Sequence, residues 1–185
     1  MTHAASPRVI LVMGVTSSGK STVGEKLATT LGWAFRDADS FHPPENVAKM
    51  SSGQPLTDED RKPWLAAIAA FIDASIRDNK PAIVTCSALK RSYRAIIIGQ
   101  RASVRLVHLV GDKALIGARM AQRRNHFMPT SLLDSQFATL EPPQADENPL
   151  NIPVDADPDA LSAIGFSIMR KGSRPAPVPR TTMSP

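Results

Sequence analysis

The chain has 185 residues, of which 42% are hydrophobic and 21% charged, a composition typical of a globular protein with one substantial domain. A single cysteine, Cys86, excludes an internal disulfide framework, and neither a signal-peptide pattern nor an apolar run of the ~20 residues that span a bilayer is present, so we expect a cytoplasmic protein without a membrane partner. Most of the net charge of +5 lies beyond Asp159, where no acid occurs, so the body of the chain is close to neutral and we expect no nucleic-acid partner.

A phosphate-binding loop stands at the start of the predicted fold. Residues 8–13 are predicted to form a buried parallel strand, because the run is continuously apolar from Val9 to Met13, and the chain then reads GVTSSGKST over 14–22. This G-x-x-x-x-G-K-[ST] spacing between strand and helix predicts a cradle of backbone N–H groups that binds the phosphates of ATP. Lys20 would reach the β- and γ-phosphates, and the Ser21 hydroxyl would coordinate Mg²⁺. The residues predicted to contact ATP here are Gly14, Thr16, Ser17, Ser18, Gly19, Lys20, Ser21 and Thr22.

Two carboxylates follow the second predicted strand, residues 33–37. They lie where ligands bind in an open α/β sheet, at the carboxyl edge next to the phosphate loop. We predict that Asp37 holds a Mg²⁺-bound water and that Asp39 orients an acceptor hydroxyl and takes its proton.

The rest of the chain alternates helices and strands, which predicts a three-layer α/β/α fold with a mostly parallel, five-stranded sheet. Pro153 makes the last strand an edge strand or a short one. We expect a single domain over 8–171, a flexible segment at 1–7 and a disordered Pro-rich basic tail at 172–185. The predicted helices are 19–31, 45–50, 58 to about 78, one that carries Lys90 and Arg94, 112 to about 124, 131–140 and 158–170, and the later strands are 82–86, 104–110 and 150–154.

Other motifs must separate kinases from GTPases and motor ATPases, which share the phosphate loop. The N-K-x-D and D-x-x-G strings of GTPases do not occur, and the larger ATPases need a longer chain. A small kinase for a small molecule is therefore favoured. The alternatives are a nucleotide-binding regulator without turnover, which the presence of Lys20, Ser21, Asp37 and Asp39 argues against, and nucleic-acid binding through the tail.

Several further stretches resemble the thermoresistant-type gluconokinase family, and the similarity runs from about residue 8 to 171. The stretches are 35–43, 46–50, 53–65, 86–94, 126–128, 132–137 and 140–142. The resemblance implies ATP-dependent phosphorylation of D-gluconate at its 6-hydroxyl, the fold of shikimate and nucleoside monophosphate kinases, a mobile lid at about 119–135 and a homodimer. A kinase for another small hydroxy acid or polyol, such as shikimate, is the alternative within the same class.

Basic residues are needed for the carboxylate of such a substrate, and a guanidinium matches a carboxylate best. Arg61 is the first choice, because similar shikimate kinases place an arginine near this point on their acid substrate. Lys90 and Arg94 come second, Lys49 and His126 third, although Lys49 and Arg94 also suit solvated helix surfaces.

Two arginines are predicted to act from the lid. Arg119 and Arg123 share one helix face, and, as lid arginines do in similar kinases, Arg119 would lie against the adenine while Arg123 or Arg124 would neutralise charge on the transferring phosphoryl group.

Overall fold

The computed structural model describes residues 7–121 and 130–156. The strands are β1 (Val9–Met13), β2 (Ala34–Asp37), β3 (Ala82–Thr85), β4 (Val104–Val110) and β5 (Leu150–Pro153). The α-helices are α1 (Lys20–Leu31), α2 (Pro44–Ser51), α3 (Asp58–Arg77), α4 (Arg91–Ile97), α5 (Lys113–Ala121) and α6 (Thr130–Thr139). Short 3₁₀ turns occupy Ala38–Phe41 and Ala145–Glu147.

All five strands pair in parallel in the order β2-β3-β1-β4-β5, which confirms the predicted sheet. The central strand β1 pairs with β3 and β4, and all five of its residues are buried. Burial on both faces explains why its sequence is an unbroken apolar run. The prediction for Pro153 is also confirmed, because β5 is an edge strand, where a missing backbone N–H is tolerated.

Each face of the sheet carries its own core, and β1 contributes alternate residues to the two. Val9, Leu11 and Met13 pack with the apolar face of α3 and with α4, whereas Ile10 and Val12 pack with α1. A period of two residues is expected for a strand that is covered on both faces. The three layers therefore hold the carboxyl ends of the strands at one edge, next to the start of α1.

Side-chain hydrogen bonds start two of the elements near the carboxyl edge of the sheet, α3 and the turn Ala38–Phe41. Thr57 and Asp60 form a reciprocal capping box at the start of α3, which confirms the predicted helix start at Thr57. The turn Ala38–Phe41 was not predicted, and it forms because a carboxylate oxygen of Asp37 accepts the backbone N–H of Asp39 at 3.0 Å.

Some predictions fall outside the described residues. These concern the far end of the helix predicted to reach about 124, the helix at 158–170, segment 1–6, the tail 172–185, and residues Arg123 and His126. Within the described ranges, no helix combines the length and apolar character needed to cross a bilayer.

Candidate active site

The loop between β1 and α1 leaves the first turn of α1 suited to an anion. Gly19 adopts a left-handed conformation with a φ of 92°, which glycine reaches without steric cost. No side chain caps α1, and its first turn contains Lys20 but no acid. The N–H groups at a helix start carry partial positive charge, so this end favours a bound phosphate.

Neutral oxygens of the chain contact the loop where a phosphate is expected. The Lys20 ammonium donates to the carbonyl of Val15 at 2.9 Å, and the backbone N–H of Thr16 donates to Oε1 of Gln136 at 2.6 Å. The second contact places an acceptor oxygen on a cradle N–H. The geometry of the loop therefore fits oxygen ligands, as phosphate groups supply.

The predicted loop residues lie in two layers. Thr16, Ser17, Gly19, Lys20 and Ser21 line a cleft of about 270 Å³, together with residues from the ends of β2, β3 and α6. The lining among the described residues does not include Gly14, Ser18 or Thr22. Ser18 is 2% exposed, and a Cβ at Gly14 would come within 2.7 Å of its hydroxyl oxygen, so these two residues pack beneath the cradle.

The two predicted carboxylates, Asp37 and Asp39, lie in this same cleft, with Lys20. Burial raises the pKa of Asp39, the nearby charge of Asp37 raises it further, and His42 and Lys20 oppose the change. A raised pKa makes a carboxylate a stronger base, as proton abstraction from an acceptor hydroxyl requires. The structure thus assembles the chemical groups that the sequence predicted for phosphoryl transfer.

The cleft also offers a ligand set that fits Mg²⁺. Two carboxylates and the exposed Ser21 line it, and the buried Thr85 hydroxyl in its wall has no hydrogen-bond partner among the described residues. Mg²⁺ prefers oxygen ligands, and usually keeps water and substrate phosphates beside one or two carboxylates. Among the described residues, no group of three or more His, Cys, Asp or Glu side chains is placed to hold a metal ion.

His42 extends the site beyond Asp39. Its ring stacks on Trp64, with centroids 4.5 Å apart and planes at 8°, and the Trp64 indole N–H donates to the carbonyl of Ala38 at 2.7 Å. His42 interacts electrostatically with both Asp39 and Arg61, and burial is the main cause that lowers its pKa. A neutral histidine therefore interacts with both the predicted base and the first-choice cation.

Arg61 and Lys90 meet around Asp58 and Tyr93. The Lys90 ammonium donates to the two Asp58 oxygens at 2.6 and 2.9 Å, and Arg61 Nη1 lies 3.7 Å from Asp58. Both cations face the Tyr93 ring, at 5.9 Å for Arg61 and 5.5 Å for Lys90. Arg61 also donates to the carbonyl of Leu56 at 2.5 Å. The first choice for the acid group, Arg61, and one of the two second choices, Lys90, thus share one surface, and the Asp58 carboxylate lies on it.

Arg94 has a structural position instead. It is 1% exposed, its Nε and Nη2 donate to Glu147 at 2.5 and 3.0 Å, and its Nη1 donates to the carbonyls of Ala88 and Leu89. The prediction of Arg94 as a substrate contact is corrected by this burial, because the chain already takes nearly all of its donors.

Lys49 also pairs within the chain. Its ammonium donates to Asp60 at 2.6 Å, and together with Thr57 it lowers the pKa of that carboxyl to about 2. Lys49 therefore supports the capping box of α3.

Arg119 reaches the end of β5, where its Nη1 donates to the carbonyl of Val154 at 2.7 Å.

Cys86 lines the cleft but is not a nucleophile, because burial raises its pKa to about 12, so the thiol stays protonated. The sequence analysis gave no role in the site to Gln136, Thr85, Ser87 or His42, of which the first three line the cleft. Three of these four belong to stretches that carry the family resemblance, which is the one signal that could have found them.

Comparisons with known proteins identify the relatives of this chain. Residues 9–143 match the family model described as AAA domain. The chain is similar to a gluconokinase of Gluconobacter oxydans, with 46% identity covering 84% of this chain and 87% of the relative. It is also similar to the thermoresistant gluconokinase of Escherichia coli, with 39% identity covering 89% and 94% of the two chains.

A solved structure, a gluconokinase from Sinorhizobium meliloti, superposes with a TM-score of 0.78 at 41% identity. The match covers 89% of this chain and 92% of that one.

Proposed function

The chain belongs to the gluconokinase family, and we propose that it transfers the terminal phosphoryl group of ATP to the 6-hydroxyl of D-gluconate, giving 6-phospho-D-gluconate and ADP. One observation carries the chemistry: the phosphate loop with Lys20 and the carboxylates of Asp37 and Asp39 line a single cleft. A donor and an acceptor for a phosphoryl group can therefore meet there.

Asp39 and Lys20 have complementary roles in the transfer. Asp39 accepts the proton of the 6-hydroxyl as its oxygen bonds to phosphorus, and the bond from phosphorus to the leaving ADP oxygen breaks. Lys20 and the N–H groups of the loop stabilise the negative charge on the phosphates. Ser21 and Asp37 would hold Mg²⁺, which supplies positive charge to the phosphate oxygens.

Arg61 and Lys90 are our proposed partners for the gluconate carboxylate. The contacts of the Asp58 carboxylate with both cations support this proposal, and His42 interacts electrostatically with Arg61 and with Asp39. The side-chain nitrogen of Asn46 donates to the carbonyl of Asp60 at 2.7 Å and lies 3.5 Å from Nδ1 of His42. That Nδ1 then acts as an acceptor, which leaves Nε2–H of His42 to donate to a hydroxyl in the middle of the sugar acid.

The remaining assignments rest on the family. We propose that Arg119 contacts adenine, that Arg123 neutralises charge on the phosphoryl group, that His126 contacts gluconate, and that residues 119–135 form a lid. We also propose that the protein is a homodimer, that it acts in the cytoplasm and that its nucleotide substrate is Mg·ATP.

The test is ADP release from Mg·ATP with D-gluconate, D-glucose, shikimate and AMP as separate acceptors. We expect turnover with gluconate alone and loss of turnover in Lys20→Ala. Lys26→Ala, on the same helix but away from the loop, is the matched control and should keep full activity. Equal rates with shikimate, or with glucose, would overturn the assignment of the substrate.

A further inference from the structure

Gln136 reaches the phosphate loop from α6. Leu133, one turn earlier on the same helix, is 3% exposed and packs with Val15 of the loop and with Ile116 of α5. Residues three apart share a helix face, so the packing of Leu133 directs Gln136 towards the loop. The helix thereby brings a side-chain amide to the cleft that holds Lys20 and Asp39.

The contact that Gln136 makes is one that a phosphate would take over. Its Oε1 accepts the Thr16 backbone N–H at 2.6 Å, across 120 positions of sequence. An amide oxygen is neutral, whereas phosphate oxygens are charged and bind N–H groups more strongly. A phosphoryl group that enters the cleft therefore competes successfully for this N–H.

The backbone of α6 is restrained near its carboxyl end. The backbone N–H of Glu141 donates to the carbonyl of Leu89 at 2.9 Å, and the Glu141 carboxylate accepts the backbone N–H of Arg91 at 2.6 Å. Leu133 is buried, and Glu141 is bound to the backbone of Leu89 and Arg91. The side-chain amide of Gln136 can therefore rotate about its own torsions without a shift of the helix.

We propose that Gln136 is a contact of the transferring phosphoryl group: its Oε1 holds the Thr16 N–H in the nucleotide-free protein, yields that N–H to a phosphoryl oxygen, and its Nε2–H then donates to the same group. The proposal rests on the proposed function and adds a residue to it. A carboxamide suits this exchange because it offers both an acceptor and two donors, whereas lysine or arginine only donates and a carboxylate only accepts.

The experiment compares Gln136→Leu and Gln136→Glu with the wild type. It measures kcat and KM for gluconate, and the Kd of ADP and of a non-hydrolysable ATP analogue. For Gln136→Leu we expect kcat to fall by about tenfold or more, with KM for gluconate within about threefold, because a donor that acts on the phosphoryl group is lost. The glutamate variant keeps the acceptor but adds negative charge, so the analogue should lose about tenfold in affinity relative to ADP.

Gln100→Leu is the matched control, since Gln100 is exposed in the turn after α4, and it should behave as wild type. A kcat and an analogue-to-ADP affinity ratio within about twofold of wild type in Gln136→Glu would overturn the proposal, whether or not the leucine variant folds. If the wild type fails to phosphorylate gluconate, the proposed function fails, but the affinity ratio still decides the role of Gln136.

Discussion

The first turns of α1 and α3 are built in opposite ways. At α3, Thr57 and Asp60 cap each other, and Asp58 and Glu59 add negative charge that favours a helix start. At α1, no side chain caps the helix, and the only charged residue of the first turn is Lys20. The chain completes the end of α3 by itself, whereas it leaves the end of α1 complementary to an anion.

The basic residues around α3 and α4 repeat this contrast. Arg94 is fully buried and donates to Glu147 and to two carbonyls, so it serves the fold. The Arg61 side chain is 31% exposed and donates to one carbonyl at 2.5 Å, with Asp58 at 3.7 Å. The number of donors that the chain already takes, rather than the residue type, therefore distinguishes a structural cation from one that is left to meet a ligand.

Asp39→Asn is expected to have the largest effect, and it tests the proposed base in the cleft beside the start of α1. The amide cannot accept the hydroxyl proton, so we expect kcat to fall about 10²- to 10⁴-fold, while the Kd of ATP changes little. Steady-state kinetics and nucleotide titration measure the two quantities. Near-normal turnover would refute Asp39 as the base.

The pH profile provides a second readout for Asp39. Burial and Asp37 raise its pKa, so the wild-type rate should fall as the pH drops through a value above the ordinary 3.8 of an aspartate. The asparagine variant should lack this acid limb. Asp78→Asn, at the far end of α3, is the control and should keep both the rate and the limb.

Local patterns predicted the fold, and they predicted that the phosphate loop, Asp37 and Asp39 lie together, as they do in one cleft. The bounds of β4 are those expected from its apolar run, and Thr57 marks the start of α3. The phosphate loop could be predicted because its ligands are backbone groups within one short segment, and Asp39 because it follows a strand.

The contacts of the basic residues Lys90 and Arg94, and those of Gln136, could not be predicted in the same way. Arg94 meets Glu147 across 53 positions and Gln136 meets Thr16 across 120, and no spacing rule connects residues so distant. Whether such a side chain faces a ligand or a partner depends on tertiary packing. A helix surface pattern cannot separate Arg94 from Lys90, although only one of them is buried.

Arg94→Ala tests the structural side of the contrast. It leaves the carboxylate of Glu147, 12% exposed, without its partner, so the free energy of unfolding should fall by about 3–5 kcal/mol in urea titrations. The matched control is Arg91→Ala on the same helix, whose partner Asp146 is 60% exposed, and it should lower the free energy of unfolding far less, because water screens an exposed ion pair. A small effect at Arg94 would contradict its structural role.

The same pair should make stability depend on pH. Hydrogen bonding to Arg94 lowers the pKa of Glu147 in the folded protein. The contribution of the pair is therefore present above the ordinary pKa of a glutamate and is lost as the pH falls through the lowered pKa. Arg94→Ala should reduce this loss on the acid side.

Arg61→Ala is expected to have a smaller effect than Asp39→Asn or Arg94→Ala, and the effect should be confined to the KM for gluconate. Loss of a charged hydrogen bond to the substrate should raise the KM for gluconate about 10- to 100-fold and leave the KM for ATP unchanged. Arg61→Lys keeps the charge but not the planar fork, so its KM should lie between those of wild type and the alanine variant. Lys62→Ala, with an exposed pair to Glu59, is the control and should leave both constants unchanged. A selective rise in the KM for ATP would move Arg61 out of the gluconate site, and an unchanged KM for gluconate would leave Lys90 as the remaining partner for the carboxylate.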